Sequence, residues 1–152
     1  MPDTTPSPSP KTIDDQIREL DEKKAAKLKM LRDEDRQNTL DCRKLESEQD
    51  GILGLDFAIV DLAVRDKVTG EYLGRFGAPI LLARADSSIL HRKFTNGKVT
   101  EVATYDYVKA HVKSSIDDFK RVADERPSVV TRCAEKLIEL YGFAQEERAG
   151  KS

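Results

Sequence analysis

The stretch Arg126–Phe143, RPSVVTRCAEKLIELYGF, is the most informative part of the sequence, because it predicts a helix with an unusually broad apolar surface. Pro127 suits the first turn of a helix, and Gly142 is predicted to end it. The apolar side chains cover roughly half of the helix circumference, more than the stripe of a surface helix. They are Val129, Val130, Cys133, Ala134, Leu137, Leu140 and Tyr141. Either the rest of the chain or another protein must cover this helix.

The composition leaves room for one small core. Of the 152 residues, 38% are hydrophobic and 36% are charged, and the first fifty hold few large apolar side chains. We therefore expect a compact module of about 90 residues that follows Gly51. The 26 basic residues oppose 28 acidic ones, and neither sign gathers in one region. This balance predicts no nucleic-acid partner, because such surfaces usually carry a basic excess.

The residues with chemical potential form no motif. Cys42 and Cys133 stand alone, without a C-x-x-C pair or a histidine at metal-ligand spacing, so reduced thiols are expected. His91 and His111 lie on different predicted helices among polar neighbours, which favours surface roles over a shared metal or proton-transfer site. The sequence has no nucleophile elbow, zinc-protease motif or phosphate loop. We predict a non-catalytic protein without a cofactor or a metal.

The start of the chain predicts a flexible leader. Residues 1–11 are rich in Pro, Ser and Thr, and they cannot bury enough apolar surface to become ordered. They also lack the basic and apolar regions of a signal peptide, and no apolar run approaches the roughly 18 residues of a membrane span. A cytoplasmic location without membrane contact is expected.

Residues 12–50 predict one long charged helix that Thr12 caps. Its apolar residues form a narrow stripe, which polar residues such as Asp35 and Asn38 interrupt. This stripe is the candidate seam of a coiled coil: Ile13, Ile17, Leu20, Leu28, Leu31, Cys42 and Leu45. A charged helix of this kind is marginal alone in water, so we expect a weak coiled coil or a helix stabilised by a partner.

Residues 51–143 predict a compact α+β module. Strands are expected over Phe57–Val64, Tyr72–Phe76 and Ala78–Arg84, with Gly70 in the first turn. They would form a small antiparallel β-hairpin or a three-stranded sheet, packed on a C-terminal bundle of three to four helices. The first helix is expected over Ile89–Thr95, with Asp86, Ser87 or Ser88 as its cap. The others are expected over 99–116, from Ser115 or Asp117 onward, and over the opening stretch. Residues 144–152 predict a polar tail.

The order of these elements resembles the tail assembly chaperones of tailed bacteriophages. Two stretches carry the resemblance: PILLARADSSILHRKF (Pro79–Phe94) and DDFKRVADERPSVVTRCAEKLIELYG (Asp117–Gly142). In that family an apolar run that ends in Arg precedes a helix with aromatic and basic residues, and the last helix is similar to A-E-K-L-I-E-L-x-G. The resemblance covers about residues 55–143 and is one of pattern more than of invariant residues. The long N-terminal helix lies outside it, and the second helix lacks a clear apolar-Pro start.

The resemblance implies a non-catalytic chaperone or adaptor that binds tape measure and tail tube proteins in the host cytoplasm and self-associates. Its partner contacts would come from apolar residues that suit an ordinary core equally well: Ile80, Leu82, Val130, Leu137, Ile138 and Tyr141. The alternative is a coiled-coil structural or cargo-adaptor protein with a small head domain. The chaperone hypothesis places binding after Gly51, whereas the coiled-coil hypothesis places it before.

Overall fold

The structure of the protein is a computed structural model that describes residues 12–84 and 89–150, with the backbone alone from 143 to 150. Its elements, in chain order, are α1 (Ile13–Ser47), β1 (Phe57–Val60), β2 (Ala63–Arg65), β3 (Tyr72–Arg75), β4 (Ile80–Ala83), α2 (Ile89–Asn96), α3 (Glu101–His111), α4 (Ile116–Glu125) and α5 (Pro127–Gly150). This is the predicted α+β arrangement. The predicted leader and the predicted cap of α2 at 86–88 lie outside the described residues.

The long helix α1 begins and ends close to the predicted positions. The hydroxyl oxygen of Thr12 accepts a hydrogen bond from the backbone N–H of Asp15 at 3.1 Å. After Ser47 the chain turns into β1 through Gly51 and Gly54, whose φ angles of +142° and +89° favour glycine. The two glycines therefore lie in the turn that connects α1 to β1.

The strands form two antiparallel pairs, so the alternative of a three-stranded sheet was wrong. The predicted first strand breaks at Asp61 and Leu62, and β1 pairs with β4 while β2 pairs with β3. Asp61 Oδ1 accepts from the backbone N–H of Ala63 at 2.9 Å, a local bond that competes with strand pairing. The β2–β3 pair is the predicted hairpin, and Gly70 lies in its turn with φ +74°.

The helix α5 is covered by the chain itself. It packs against α3, α4 and β1, and the side chains of Val129, Cys133, Leu137 and Leu140 are buried in one core. The predicted end at Gly142 was wrong, because α5 continues to Gly150. Gly142 does not adopt the left-handed conformation with which glycine usually ends a helix.

The helix α3 is shorter than predicted, since the expected helix included Val112. Thr100 caps α3, and Val112 is extended, with φ −72° and ψ 123°. The segment after α3 bonds to β4 instead: Lys113 N donates to Leu81 O at 2.9 Å, and Leu81 N donates to Ser114 Oγ at 3.0 Å. These bonds seat α3 against the β1–β4 pair.

Candidate protein-binding surfaces

The helix α1 consists of two halves with different surroundings. In the first half, from Ile13 to Met30, all side chains are exposed except those of Asp15 and Glu19, which are half-buried. The second half, from Leu31 to Ser47, contacts β1 and β3 of the module. Because its described side chains are mostly exposed, we call the first half the free arm of the helix.

A polar clamp holds the second half of α1 on the module. The side chain of Asn38 is 1% exposed, and its Nδ2 donates to Asp61 Oδ1 at 2.9 Å. Its Oδ1 accepts from Arg75 Nη1 at 3.3 Å, and the same guanidinium pairs with Asp41 at 2.9 Å. The hydrogen bond from Arg75 is the main reason that the pKa of Asp41 lies below its ordinary value. The clamp thus joins one face of α1 to the start and the end of the hairpin.

One turn closer to the N-terminus of α1, two further side chains bond to the hairpin. Tyr72 OH donates to Glu34 Oε1 at 2.6 Å, and Arg65 pairs with Asp35 at 2.6 Å. Burial, together with the hydrogen bond to Glu34, raises the pKa of Tyr72, so the phenol stays a donor at neutral pH. Asp35 and Asn38, which the sequence suggested as interruptions of a coiled-coil seam, are docking contacts.

The predicted seam is accordingly divided between two environments. Leu31, Cys42 and Leu45 are half-buried on the side of α1 that faces the module. The four N-terminal members, Ile13, Ile17, Leu20 and Leu28, are between 44% and 75% exposed. We call these four side chains the N-terminal stripe. The module covers one side of the second half, so the exposed part of the predicted seam lies in the first half.

The partner contacts implied by the phage resemblance lie mostly inside the module. Five of the six side chains are buried in the chain's own core: Ile80, Leu82, Val130, Leu137 and Tyr141. Only Ile138 is exposed, at 45%. The five buried residues cannot contact a partner unless the module opens, because α3, α4 and β1 cover the face of α5 that carries Leu137.

A second apolar surface was not predicted from the sequence. The starts of α3 and α5 form the walls of an open groove of about 570 Å³, in which Val102 is 71% exposed. Its lining also includes Val99, Tyr105, Ala123, Pro127 and Val130. The walls come from two segments, residues 99–105 and 123–131, so no pattern within one helix reveals the groove. We call it the α3–α5 groove.

The two histidines are buried and close together, so the predicted surface roles were wrong. Tyr107 connects them: its OH lies 2.8 Å from His91 Nδ1, and its carbonyl oxygen lies 2.7 Å from His111 Nδ1. On the other side of His111, Nε2 lies 2.8 Å from Tyr141 OH. The cluster could not be predicted from helical periodicity, because His91, His111 and Tyr141 belong to three different helices. Tertiary packing of α2, α3 and α5 brings them together.

This histidine–tyrosine cluster is a hydrogen-bonded part of the core. Because the carbonyl oxygen of Tyr107 only accepts, His111 Nδ1 carries the proton and Nε2 accepts from Tyr141. Burial lowers the pKa of both His91 and His111, so both imidazoles are neutral at pH 7. Phe94 extends the cluster, since its ring stacks on that of Tyr107 with ring centroids 4.1 Å apart.

The thiols and acidic residues form no reactive cluster in the described part of the chain. Burial raises the pKa of Cys133 to about 12 and also raises that of Cys42, so both thiols are protonated at neutral pH. Over residues 12–84 and 89–142, no three His, Cys, Asp or Glu side chains are placed to hold a metal ion. In the same residues, no helix has both the length and the apolar character needed to cross a membrane.

Comparison of the chain with protein-family models, with curated proteins and with solved structures finds no match. The resemblance over residues 55–143 therefore stays a prediction.

Proposed function

We propose that this chain is a non-catalytic assembly adaptor, which acts by binding other protein chains. One observation carries the proposal: a helix anchored to a folded module presents an uncovered apolar stripe on its free half. Four large aliphatic side chains at helical spacing are costly to leave in water, and another helix is the usual way to cover them.

The clamp gives this interpretation its mechanical basis. Asn38, Asp41 and Asp35 each bond to the module, so the second half of α1 has a defined position. An anchored second half removes the nucleation cost for the first half, because the helix needs only to propagate from residues that are already helical. The N-terminal stripe therefore lies on a helix that is already formed before a partner binds.

Site-specific photo-cross-linking tests the proposal. A photoreactive phenylalanine analogue replaces Ile17 in the full chain, and a matched chain carries it at Leu40, an exposed position of α1 outside the stripe. In cells that produce the chain, we expect a covalent adduct with a protein from position 17 and none from position 40. Absence of a protein adduct at position 17, or equal adducts at both positions, would overturn the proposal.

A narrower form of the proposal is a phage tail assembly chaperone that binds tape measure and tail tube proteins. The α3–α5 groove supports this form, because it is an exposed apolar surface within the part of the chain that carries the resemblance. The contacts would then come from Val102 in the groove and from Ile138, which is exposed on α5 outside the groove, rather than from the buried side chains of α5. An adaptor with both an apolar stripe and a groove can contact two different chains.

Co-expression tests the narrower form. A tape measure protein encoded in the same genome should become more soluble with the chain, and Val102→Asp with Ile138→Asp should remove this effect. Leu73→Gln, at an exposed apolar position on β3, is the control and should retain it. Equal solubility with and without the chain would contradict the chaperone function, while the more general adaptor proposal is judged by the photo-cross-linking.

A further inference from the structure

We propose that the N-terminal stripe binds a second copy of this chain, and that the two copies of α1 pair in antiparallel orientation. This inference rests on the proposed function, because it names the partner of the same surface. The apolar stripe by itself does not identify its partner, but the charges beside it do.

The free half of α1 carries two blocks of opposite charge. Residues 14–22 contain five acidic residues and one basic residue, for a net charge of −4. Residues 23–29 contain four lysines and no acidic residue, for a net charge of +4. Two parallel copies would place equal charges side by side, within the screening length of about 10 Å. Antiparallel copies place each block against its opposite, so this segment is complementary to itself in one orientation.

The apolar side chains give a register that agrees with the charges. When Ile17 lies opposite Leu28 of the second copy, Leu20 lies opposite Ala25 and Asp21 lies opposite Lys24. Lys24, which interrupts the stripe, thereby gains an acidic neighbour. The two-fold axis falls between residues 22 and 23, near the boundary of the charge blocks, so every contact is made twice.

The same register ends in an existing groove. At the end of the free half of α1, a groove of about 280 Å³ runs between the helix and the hairpin, lined in part by Leu28, Leu31, Arg32, Arg65 and Tyr72. The register places Ile13 of the second copy opposite Arg32 at this groove. Ile13 then lies near the apolar side chains of Leu28 and Leu31. The neighbouring Asp14 lies near the guanidinium of Arg32, in a groove that Asp35 and Glu71 also line.

Other occupants match this surface less well. The chain's own residues 1–11 contain no large aliphatic or aromatic side chain after Met1, so they cannot cover four aliphatic side chains. A second copy supplies both the stripe and the complementary charge. In this register the paired segment runs from residue 13 to residue 32, a length of about 30 Å, which is short for a two-helix interface. A concentration-dependent dimer with one module at each end is expected.

Sedimentation equilibrium of the full chain tests the interface. We expect a monomer–dimer equilibrium that shifts toward monomer as salt is raised, because screening weakens the attraction between the charge blocks. Ile17→Gln with Leu28→Gln should weaken the dimer by about tenfold or more, since each aliphatic side chain is buried twice in the dimer. Leu40→Gln, exposed on α1 outside the stripe, is the matched control and should leave the equilibrium unchanged.

A charge exchange and cysteine cross-linking test the orientation. Asp21→Lys and Lys24→Asp should each weaken the dimer by about three- to tenfold, and the chain with both changes should return to within about twofold of the original. Separately, a chain with Ile17→Cys mixed with a chain with Leu28→Cys should form the mixed disulfide in preference to either symmetric one. The unaltered chain is the control, since both native thiols are protonated at neutral pH.

Three results would overturn the inference: a chain that stays monomeric at every concentration, a dimer that the stripe substitutions leave intact, or symmetric disulfides between like positions. The photo-cross-linking separates this failure from that of the adaptor function. An adduct of position 17 with a different protein alone overturns self-pairing and leaves the adaptor standing. No adduct at all overturns both.

Discussion

At the scale of single residues, Asn38 determines how the long helix sits on the module. Both ends of its buried side-chain amide are used, one with Asp61 and one with Arg75. A polar group in this position stabilises only while its partners are present, because an unpaired buried donor or acceptor loses its hydration without compensation. The side-chain amide of Asn38 therefore stabilises this placement of α1 and destabilises placements in which its partners are lost.

Replacing this amide should weaken the whole fold. Asn38→Ala is expected to lower the free energy of unfolding by about 1–3 kcal/mol, because it removes two hydrogen bonds and leaves a buried gap. Urea denaturation followed by circular dichroism measures the change. Leu40→Ala, on an exposed part of the same helix, should change it by less than about 0.5 kcal/mol. Equal effects of the two substitutions would show that the clamp does not hold α1.

The buried histidines should make the stability depend on pH. Burial lowers the pKa of His91 and His111 below 6.5, so the folded state binds fewer protons there than the unfolded state. The contribution of these two histidines to the free energy of unfolding is therefore fully present above about pH 6.5. It is lost as the pH falls toward the depressed pKa values. The free energy of unfolding should be lower at about pH 5.5 than at about pH 7.5.

A substitution isolates this contribution. His111→Gln should reduce the difference between the two pH values, whatever its effect on the absolute stability, because one titrating group has been removed. Asp41, whose pKa is lowered from 3.8, contributes only in a more acidic range and does not interfere. An unchanged pH dependence in the variant would contradict the assignment.

At the scale of elements, the path of α5 shows how local signals compete with packing. Gly142 suggests a helix end, yet the helix continues through it to Gly150. A glycine ends a helix by adopting a left-handed conformation, and Gly142 remains helical. Its presence inside the helix then costs stability, because glycine loses more backbone freedom than alanine does.

This conformation predicts a stabilising substitution. Gly142→Ala should raise the free energy of unfolding by about 0.5–1 kcal/mol, because a Cβ at this position meets no atom within 4 Å and the backbone is already helical. Thermal or urea denaturation measures it. Gly70→Ala is the matched control: its Cβ also meets no atom within 4 Å, but its φ of +74° makes alanine strained, so that change should destabilise. A loss of stability in Gly142→Ala would indicate that α5 ends at this glycine.

At the scale of the whole molecule, α1 divides into a free arm and a docked part. Local opening costs little where tertiary contacts are few, so amide hydrogens of the free arm should exchange faster than those of the docked part. In hydrogen exchange of a dilute sample, residues 17–30 should be less protected than residues 38–45. Equal protection in both segments would contradict the division.

Concentration should change only one of these segments. If two copies pair through the free arm, protection of residues 17–30 should rise with protein concentration while that of residues 38–45 stays constant. The Ile17→Gln, Leu28→Gln chain provides the control, since its free arm should remain weakly protected at every concentration. A uniform rise across the module would indicate a different interface.

The sequence alone was sufficient for the signals that are local along the chain. The caps at Thr12 and Ser115, the turn at Gly70 and the breadth of the apolar face of α5 follow from neighbouring residues, because hydrogen bonds and periodicity within one element determine them. The α+β fold class was also predicted correctly from the strand and helix patterns after Gly51. The break in the first predicted strand was not predicted. Asp61 causes it through hydrogen bonds to Asn38 and Ala63, and the bond to Asn38 depends on the docking of α1.

Only the tertiary structure decided what covers each surface. Asn38 and Asp61 are 23 residues apart, and His111 and Tyr141 are 30 apart, so no pattern within one element connects them. The stripe of α1 looks uniform in sequence, but docking partly covers Leu31, Cys42 and Leu45 and leaves the N-terminal stripe exposed. Local periodicity determines which side chains share a face, whereas the cover of that face depends on the packing of segments that are distant along the chain.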